Sequence, residues 1–173
     1  MSSQTLVKFN SKKHLKEKQH SIFHSNARFK VAGCGRRFGK SYLATFIIIT
    51  AAIAKKDAIY FFVAPTFAQA RQILWEILKS KVRNKLAKVI NESRLEVTLL
   101  NGARIMLKGA DRPDTMRGVS LSGVVMDEFA TMRDPENVWQ KVLRPALSDQ
   151  QGWALFISSP MGRNYFYDLY NQA

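Results

Sequence analysis

With Cys34 its only cysteine, the 173-residue sequence cannot form an internal disulfide, and a reducing cytoplasm fits it best. Its three histidines, His14, His20 and His24, crowd near the N-terminus with no clustered cysteine or carboxylate and no HExxH pattern, which argues against a zinc site. No apolar run reaches the roughly 20 residues that a bilayer span needs. The longest run, residues 43–54, is interrupted by Thr45 and Thr50 and reads as a buried helix, so no membrane partner is expected. Lys8, Lys12, Lys13, Lys16 and Lys18 are followed by no apolar core or cleavage site, which excludes a signal peptide. Repeats and low-complexity tracts are absent, and the scattered glycines and prolines mark no linker, so one domain is the simplest parse. At 46% hydrophobic residues the chain is too apolar for intrinsic disorder. The first half is poor in acid: residues 1–86 hold 17 basic and 3 acidic side chains, and residues 87–173 hold 10 of each. Such a half meets a polyanion, DNA or RNA before a membrane, or else presents a solvated basic face with no specific partner.

Along the chain, residues 1–12 read as a flexible basic segment and residues 13–23 as a short helix carrying Gln19. Residues 29–32 read as a strand running into a glycine loop, and residues 42–54 as an apolar helix. Residues 58–63 form a continuous β-prone run ended by Pro65, the mark of a strand covered on both faces. Between Phe67 and Val89, apolar residues recur at helical spacing with lysines and arginines interleaved, although Lys85 falls back on the apolar side, where the helix must end or bend. Asn101-Gly102 between two alternating runs predicts a hairpin whose two turn residues both take positive φ. Residues 121–126 read as a buried strand ending in Asp127-Glu128. Asp134-Pro135 caps a helix to about Leu147, residues 153–157 form another strand, and a last helix carries Tyr165, Phe166, Tyr167, Leu169 and Tyr170. The alternation predicts a doubly wound α/β fold with a mostly parallel central sheet flanked by helices.

The chemistry concentrates at strand ends. Gly33, Cys34, Gly35, Arg36, Arg37, Phe38, Gly39, Lys40 and Ser41 follow the phosphate-loop (Walker A) pattern, except that Cys34 stands where its first glycine is expected. Glycines let backbone N–H groups wrap phosphates, and the helix that follows points its positive end at them. Lys40 would bind the β and γ phosphates, Ser41 would offer its hydroxyl to Mg2+, and Arg36 or Arg37 would reach the γ-phosphate as charge develops. Asp127, at the end of a strand of Walker B type, is the second metal candidate, and Glu128 the general base for the attacking water. Ser158 and Ser159 end the next strand, where a hydroxyl can sense the γ-phosphate. A thiol at Cys34 beside Arg36, Arg37 and Lys40 is expected to have a lowered pKa, so that alkylation would block nucleotide binding and ATP would protect it.

Together these residues resemble the ATPase domain of the large terminase subunit of tailed bacteriophages. The resemblance rests on Gln19, on Arg28-Phe29-Lys30-Val31 leading into the loop, on Ala64-Pro65-Thr66 and Gln69-Ala70-Arg71, and on Asp114-Thr115-Met116-Arg117-Gly118 ahead of Asp127-Glu128. It continues through Ser158-Ser159-Pro160-Met161-Gly162. It implies a P-loop NTPase of the additional-strand, catalytic-glutamate type over residues 13–173, a hydrolase whose cofactors are ATP and Mg2+. It further implies that Gln19 reads adenine, that Arg117 acts on a neighbouring subunit's nucleotide, and that residues 158–160 couple hydrolysis to movement. A salt bridge to Asp111 or Asp114 is the alternative for Arg117, and a solvated helix position the alternative for Gln19.

The implied partners are double-stranded DNA, further copies in a ring on the capsid portal, and the terminase small subunit. The implied place is the cytoplasm of the infected host and, transiently, the procapsid portal. The family's C-terminal nuclease region has no counterpart before Ala173, so the chain is expected to be part of a longer protein and to lack nuclease activity. A molecular motor for viral genome packaging is the leading expectation. A helicase-like ATPase fragment and a non-hydrolysing, nucleotide-dependent DNA-binding or assembly module are the alternatives.

Overall fold

The computed structural model describes residues 11–83 and 85–173, the side chains of residues 12 and 13 aside. The expected flexible segment 1–12 lies outside these residues except at its last two positions, which already belong to helix α1, Ser11–His14. Where one short helix is expected there are two, since α2 spans Glu17–His24 and the chain breaks at Leu15-Lys16. Strand β1 (Phe29–Gly33) leads through the loop to α3 (Lys40–Ala54). That helix begins two residues before the sequence suggests and buries Leu43, Ala44, Phe46, Ile47, Ile48, Ile49 and Ala52, the all-round burial expected of a core helix. Inside it, the hydroxyls of Thr45 and Thr50 donate back to the carbonyls of Ser41 and Phe46, so neither is left unpaired.

Seven strands form one sheet in the order β1-β7-β6-β2-β5-β4-β3. Strands β2 (Ile59–Ala64), β5 (Arg104–Gly109), β6 (Gly123–Asp127) and β7 (Trp153–Ser158) run parallel with β1, while β4 (Glu96–Leu99) and β3 (Ala87–Asn91) add an antiparallel end. Alternation along the parallel strands divides the core between two faces. Tyr60, Phe62, Val125, Leu155 and Ile157 pack toward α3, and Phe61, Val63, Val124, Met126, Ala154 and Phe156 toward the opposite layer. The first layer also holds α4 (Phe67–Gln69), a π-helical turn Ala70–Trp75 and α5 (Glu76–Val82). The second holds α6 (Pro135–Asn137), a π-helical stretch Val138–Leu143, α7 (Arg144–Ala146) and, past the loop, α8 (Tyr165–Gln172). Asp134 caps its helix as the sequence suggests, and Thr66 caps α4.

The helix expected between Phe67 and Val89 ends at Val82, and residues 87–91 pair as an edge strand. Ending there leaves Lys85 in solvent instead of on the apolar stripe, while the ladder with β4 gives the backbone its partners. Val82, Leu86 and Ile90 keep a helical spacing of four through this region, which is why the pattern misleads. A bulge between Ala87 and Val89 and the exposed Lys88 suit an edge strand.

The hairpin between β4 and β5 forms as expected, but only Gly102 takes positive φ (84°), because the turn has three residues closed by Leu99 and Ala103. Asn101 is thereby left free to bond elsewhere. Its Nδ2 donates to the carbonyls of Ala52 and Ile53 and so caps the end of α3.

Candidate active site

Parallel strands gather their C-terminal ends along one edge of a sheet, and β1, β7 and β6 bring three motifs together there. Strand β7 lies between the strand that precedes the glycine loop and the strand that ends in Asp127. Its last residue, Ser158, is fully buried and ties both neighbours: its carbonyl accepts from Cys34 N at 2.9 Å, and its hydroxyl accepts from Ala130 N at 3.1 Å and lies 3.5 Å from Glu128 Oε2.

The side chains of the two motifs meet directly. Lys40 Nζ donates to Ser159 Oγ at 2.9 Å and faces Glu128 Oε1 at 3.3 Å, and Ser41 Oγ donates to Asp127 Oδ2 at 2.7 Å. Lys40 is 9% exposed, and a buried ammonium requires an anion nearby, a place that the Glu128 carboxylate fills here. Asp127 is buried as well. Burial pushes its carboxyl pKa up, the Ser41 bond opposes this, the Glu128 charge adds to it, and Lys40 opposes it. Glu128 takes a left-handed backbone at φ 49°, of order 1–2 kcal/mol of strain for a side chain with a Cβ. At that turn its N–H meets Asp127 Oδ1 at 3.0 Å while its carboxylate meets Lys40 and Ser158.

Ser41 and Asp127 supply a hydroxyl and a carboxylate within 2.7 Å of each other, hard oxygen donors of the kind Mg2+ takes when phosphates and water complete its shell. Among the described residues no group of three or more His, Cys, Asp or Glu is arranged to hold a metal. The donor set therefore fits a metal shared with a ligand rather than a closed protein cage.

The loop itself is held from below. Gly39 adopts φ 86°, and a Cβ there would lie 3.0 Å from Gln19 Nε2. Gln19 is 2% exposed: its Nε2 donates to Phe38 O at 2.9 Å and more loosely to Gly39 O at 3.5 Å, and its Oε1 accepts from Lys16 N at 2.9 Å. Gln19 is thus neither a solvated helix residue nor a side chain turned wholly to a ligand; it is a brace between α2 and the loop.

Cys34 corrects an expectation. It is buried, and burial pushes its thiol pKa up more strongly than the Lys40 charge pulls it down, so the reactive thiolate foreseen for this loop is disfavoured. Gly33, Gly35, Arg36 and Arg37 are exposed, Arg37 with φ 63°. Arg117 makes the salt bridge weighed as its alternative: Nε donates to Asp114 Oδ1 at 2.9 Å and Nη1 to Lys141 O at 3.3 Å, and it does not join the Lys40 cluster. No helix among the described residues is long and apolar enough to cross a membrane.

Residues 31–173 match the family described as terminase large subunit, T4-like-virus type, N-terminal. The chain is 32% identical over 171 residues to the terminase large subunit of Thermus phage G20c, covering 88% of this chain and 35% of that one. It spans about a third of the length of the curated relatives it matches. Its structure is similar to that of the large terminase ATPase domain of Thermus phage P74-26, with a TM-score of 0.73 and 31% identity over 87% of this chain and 66% of that one. A large terminase from another thermophilic bacteriophage, solved in complex with ATP-gamma-S, shares the fold with a TM-score of 0.69 at 18% identity over 84% of this chain and 38% of that one.

Proposed function

We propose, because this chain belongs to the family of terminase large-subunit N-terminal domains, that it binds ATP at the Lys40 cluster, hydrolyses it to ADP and phosphate, and supplies the stroke that drives DNA packaging. The observation that carries the reading is the meeting of Lys40, Ser41, Asp127, Glu128, Ser158 and Ser159 at three adjacent strand ends. The P74-26 relative is named as an ATPase domain, and the second thermophilic-phage terminase was solved with an ATP analogue, which supports the same ligand here.

In this reading the backbone N–H groups of residues 35–39 and the N-terminus of α3 receive the phosphates. Lys40 exchanges its contact with Glu128 for the β and γ phosphates, and Arg36 or Arg37, exposed at the loop's rim, meets charge that develops on the γ-phosphate. Ser41 and Asp127 hold Mg2+, which supplies charge neutralisation of the phosphates when bound. Freed from Lys40, Glu128 accepts a proton from the attacking water, with Ser158 beside its Oε2 to hold the carboxylate's orientation. Gln19 keeps the loop in shape and reaches adenine only by giving up one of its backbone bonds.

Arg117, held on the surface by Asp114, acts on the nucleotide of an adjacent copy in a ring. Double-stranded DNA, the capsid portal and the small subunit are the proposed partners, and the basic first half supplies phosphate contacts that weaken as salt rises. The place of action is the cytoplasm of the infected bacterium and, during packaging, the procapsid portal. The test is ATP hydrolysis against protein concentration, with and without duplex DNA, in wild type and Lys40→Ala. Turnover rising faster than linearly and abolished by the substitution supports the motor. ATP binding without turnover at every concentration favours a nucleotide-held assembly module.

A further inference from the structure

One aromatic side chain beside the loop belongs to none of these contacts. Helix α8 is fixed by Phe166, 3% exposed in the core, and by Asn164, whose Oδ1 accepts from Tyr167 N at 3.2 Å and whose Nδ2 donates to Ala130 O at 3.2 Å. Four residues after Phe166, about one helical turn on, Tyr170 is carried over the end of β1. Its ring carbons lie 3.5 and 3.7 Å from the place a Cβ on Gly33 would occupy, with Pro160 Cγ at 3.9 Å. Yet Tyr170 is 56% exposed. Among the described residues no aromatic ring pairs with it.

The ring therefore stands where the strand gives way to the phosphate-binding loop, its inner side on a glycine and its outer side in water. Space is open there too, since a Cβ on Gly35 would meet no heavy atom within 4 Å. The polar side chain nearest the loop's other flank, Gln19, has both ends of its carboxamide bonded to backbone. Hydrogen bonding from that side is largely committed, and the exposed group left beside the loop is the Tyr170 ring.

We propose that Tyr170, with Pro160 close by, is the platform on which the nucleobase stacks, a proposal that rests on the reading of the Lys40 cluster as a nucleotide site. A Cβ on Gly33 would only touch the ring at ordinary van der Waals distance, so the ring lies against the end of β1 without being wedged there. Stacking reads a π-face rather than a hydrogen-bonding edge, so this platform grips ATP and GTP alike and holds the larger purine face more firmly than a pyrimidine. It contributes nothing to inorganic phosphates.

The experiment compares the affinities of wild type, Tyr170→Ala and Tyr170→Trp for ATP and for inorganic tripolyphosphate by calorimetry, with thermal melts to confirm equal folding. Tyr170→Ala is expected to weaken ATP roughly 5- to 150-fold, the size of a base–aromatic stack. Tripolyphosphate binding should be unchanged, and Tyr170→Trp should restore the ATP affinity. Equal ATP affinity in wild type and Tyr170→Ala overturns the proposal, as does an equal loss for tripolyphosphate, which would make the ring a prop for the loop. Wild type that binds neither ligand overturns the nucleotide reading itself, a result distinct from either.

Discussion

Two sets of charged side chains at the rim of this sheet differ in almost every respect. Lys40 and Ser41 at the start of α3, and Asp127, Ser158 and Ser159 at strand ends, are buried or half-buried and linked by side-chain hydrogen bonds, with Glu128 reaching in over them. Arg36, Arg37 and Arg117 are exposed on turns, and the polar partners of Arg117 are a surface carboxylate and a backbone carbonyl. The first set is already assembled by its own contacts without a ligand. In the proposed function the second is completed from outside, by the γ-phosphate or by another subunit. Rate and stability should therefore respond differently to changes in the two.

The largest expected effect tests that contrast in one assay. Arg117→Ala should lower turnover by roughly 10³ to 10⁵ under conditions where copies assemble, the range seen for arginines supplied between subunits. It should leave dilute turnover and the melting temperature unchanged, because an exposed pair of this kind is worth about 0–1 kcal/mol. Equal losses at all concentrations would place Arg117 in its own subunit's site. Glu128→Gln should cost roughly 10² to 10⁴ in turnover at every concentration while ATP still binds, as expected for loss of a general base. Normal hydrolysis by that variant would remove Glu128 from the chemistry.

Gln19→Ala addresses the brace under the assembled set. It leaves the Phe38 carbonyl and the Lys16 N–H without their partner, which should destabilise the fold by about 1–3 kcal/mol and loosen the loop. Denaturant melts measure the first effect and ATP affinity the second; stability equal to wild type would reduce Gln19 to a ligand contact. The smallest effect concerns protons. A carboxyl whose folded pKa is raised, as burial raises that of Asp127, favours the fold below the ordinary value of 3.8 and loses that contribution as pH rises through the raised one. Melting temperatures without nucleotide or metal should show Asp127→Asn gaining on wild type between about pH 4 and pH 7. A parallel pair of curves would mean that Ser41 and Lys40 already offset the burial. The same logic makes Cys34 slow to alkylate at neutral pH, contrary to its place in a basic loop.

What the sequence disclosed and what it hid divide along a physical line. The apolar runs of β2, β6 and β7 have no helical period, so the strands and the polar residues at their ends were readable, and the Lys40, Ser41, Asp127 and Glu128 constellation with them. Strand β3 was not, because Val82, Leu86 and Ile90 keep a spacing that suits a helix and only pairing with β4 decides against it. The turn at Asn101-Gly102 was readable as a turn, but its length and the cap that Asn101 places on α3 depend on a helix 48–49 residues away in sequence. Cys34 shows the limit for electrostatics: the nearby Lys40 charge is legible in the chain, the burial that outweighs it is not.

Strand β7 has one consequence for what can move at the site. Bonded to β1 along one side and to β6 along the other, it cannot slide without breaking two ladders at once. Its last residue, Ser158, and Ser159 just beyond it are two pins on a common rail, Ser159 held by Lys40 and Ser158 set beside Glu128 and bonded to the Ala130 N–H. A rail so clamped resists translation, and residues 159–164 tie its end to α8.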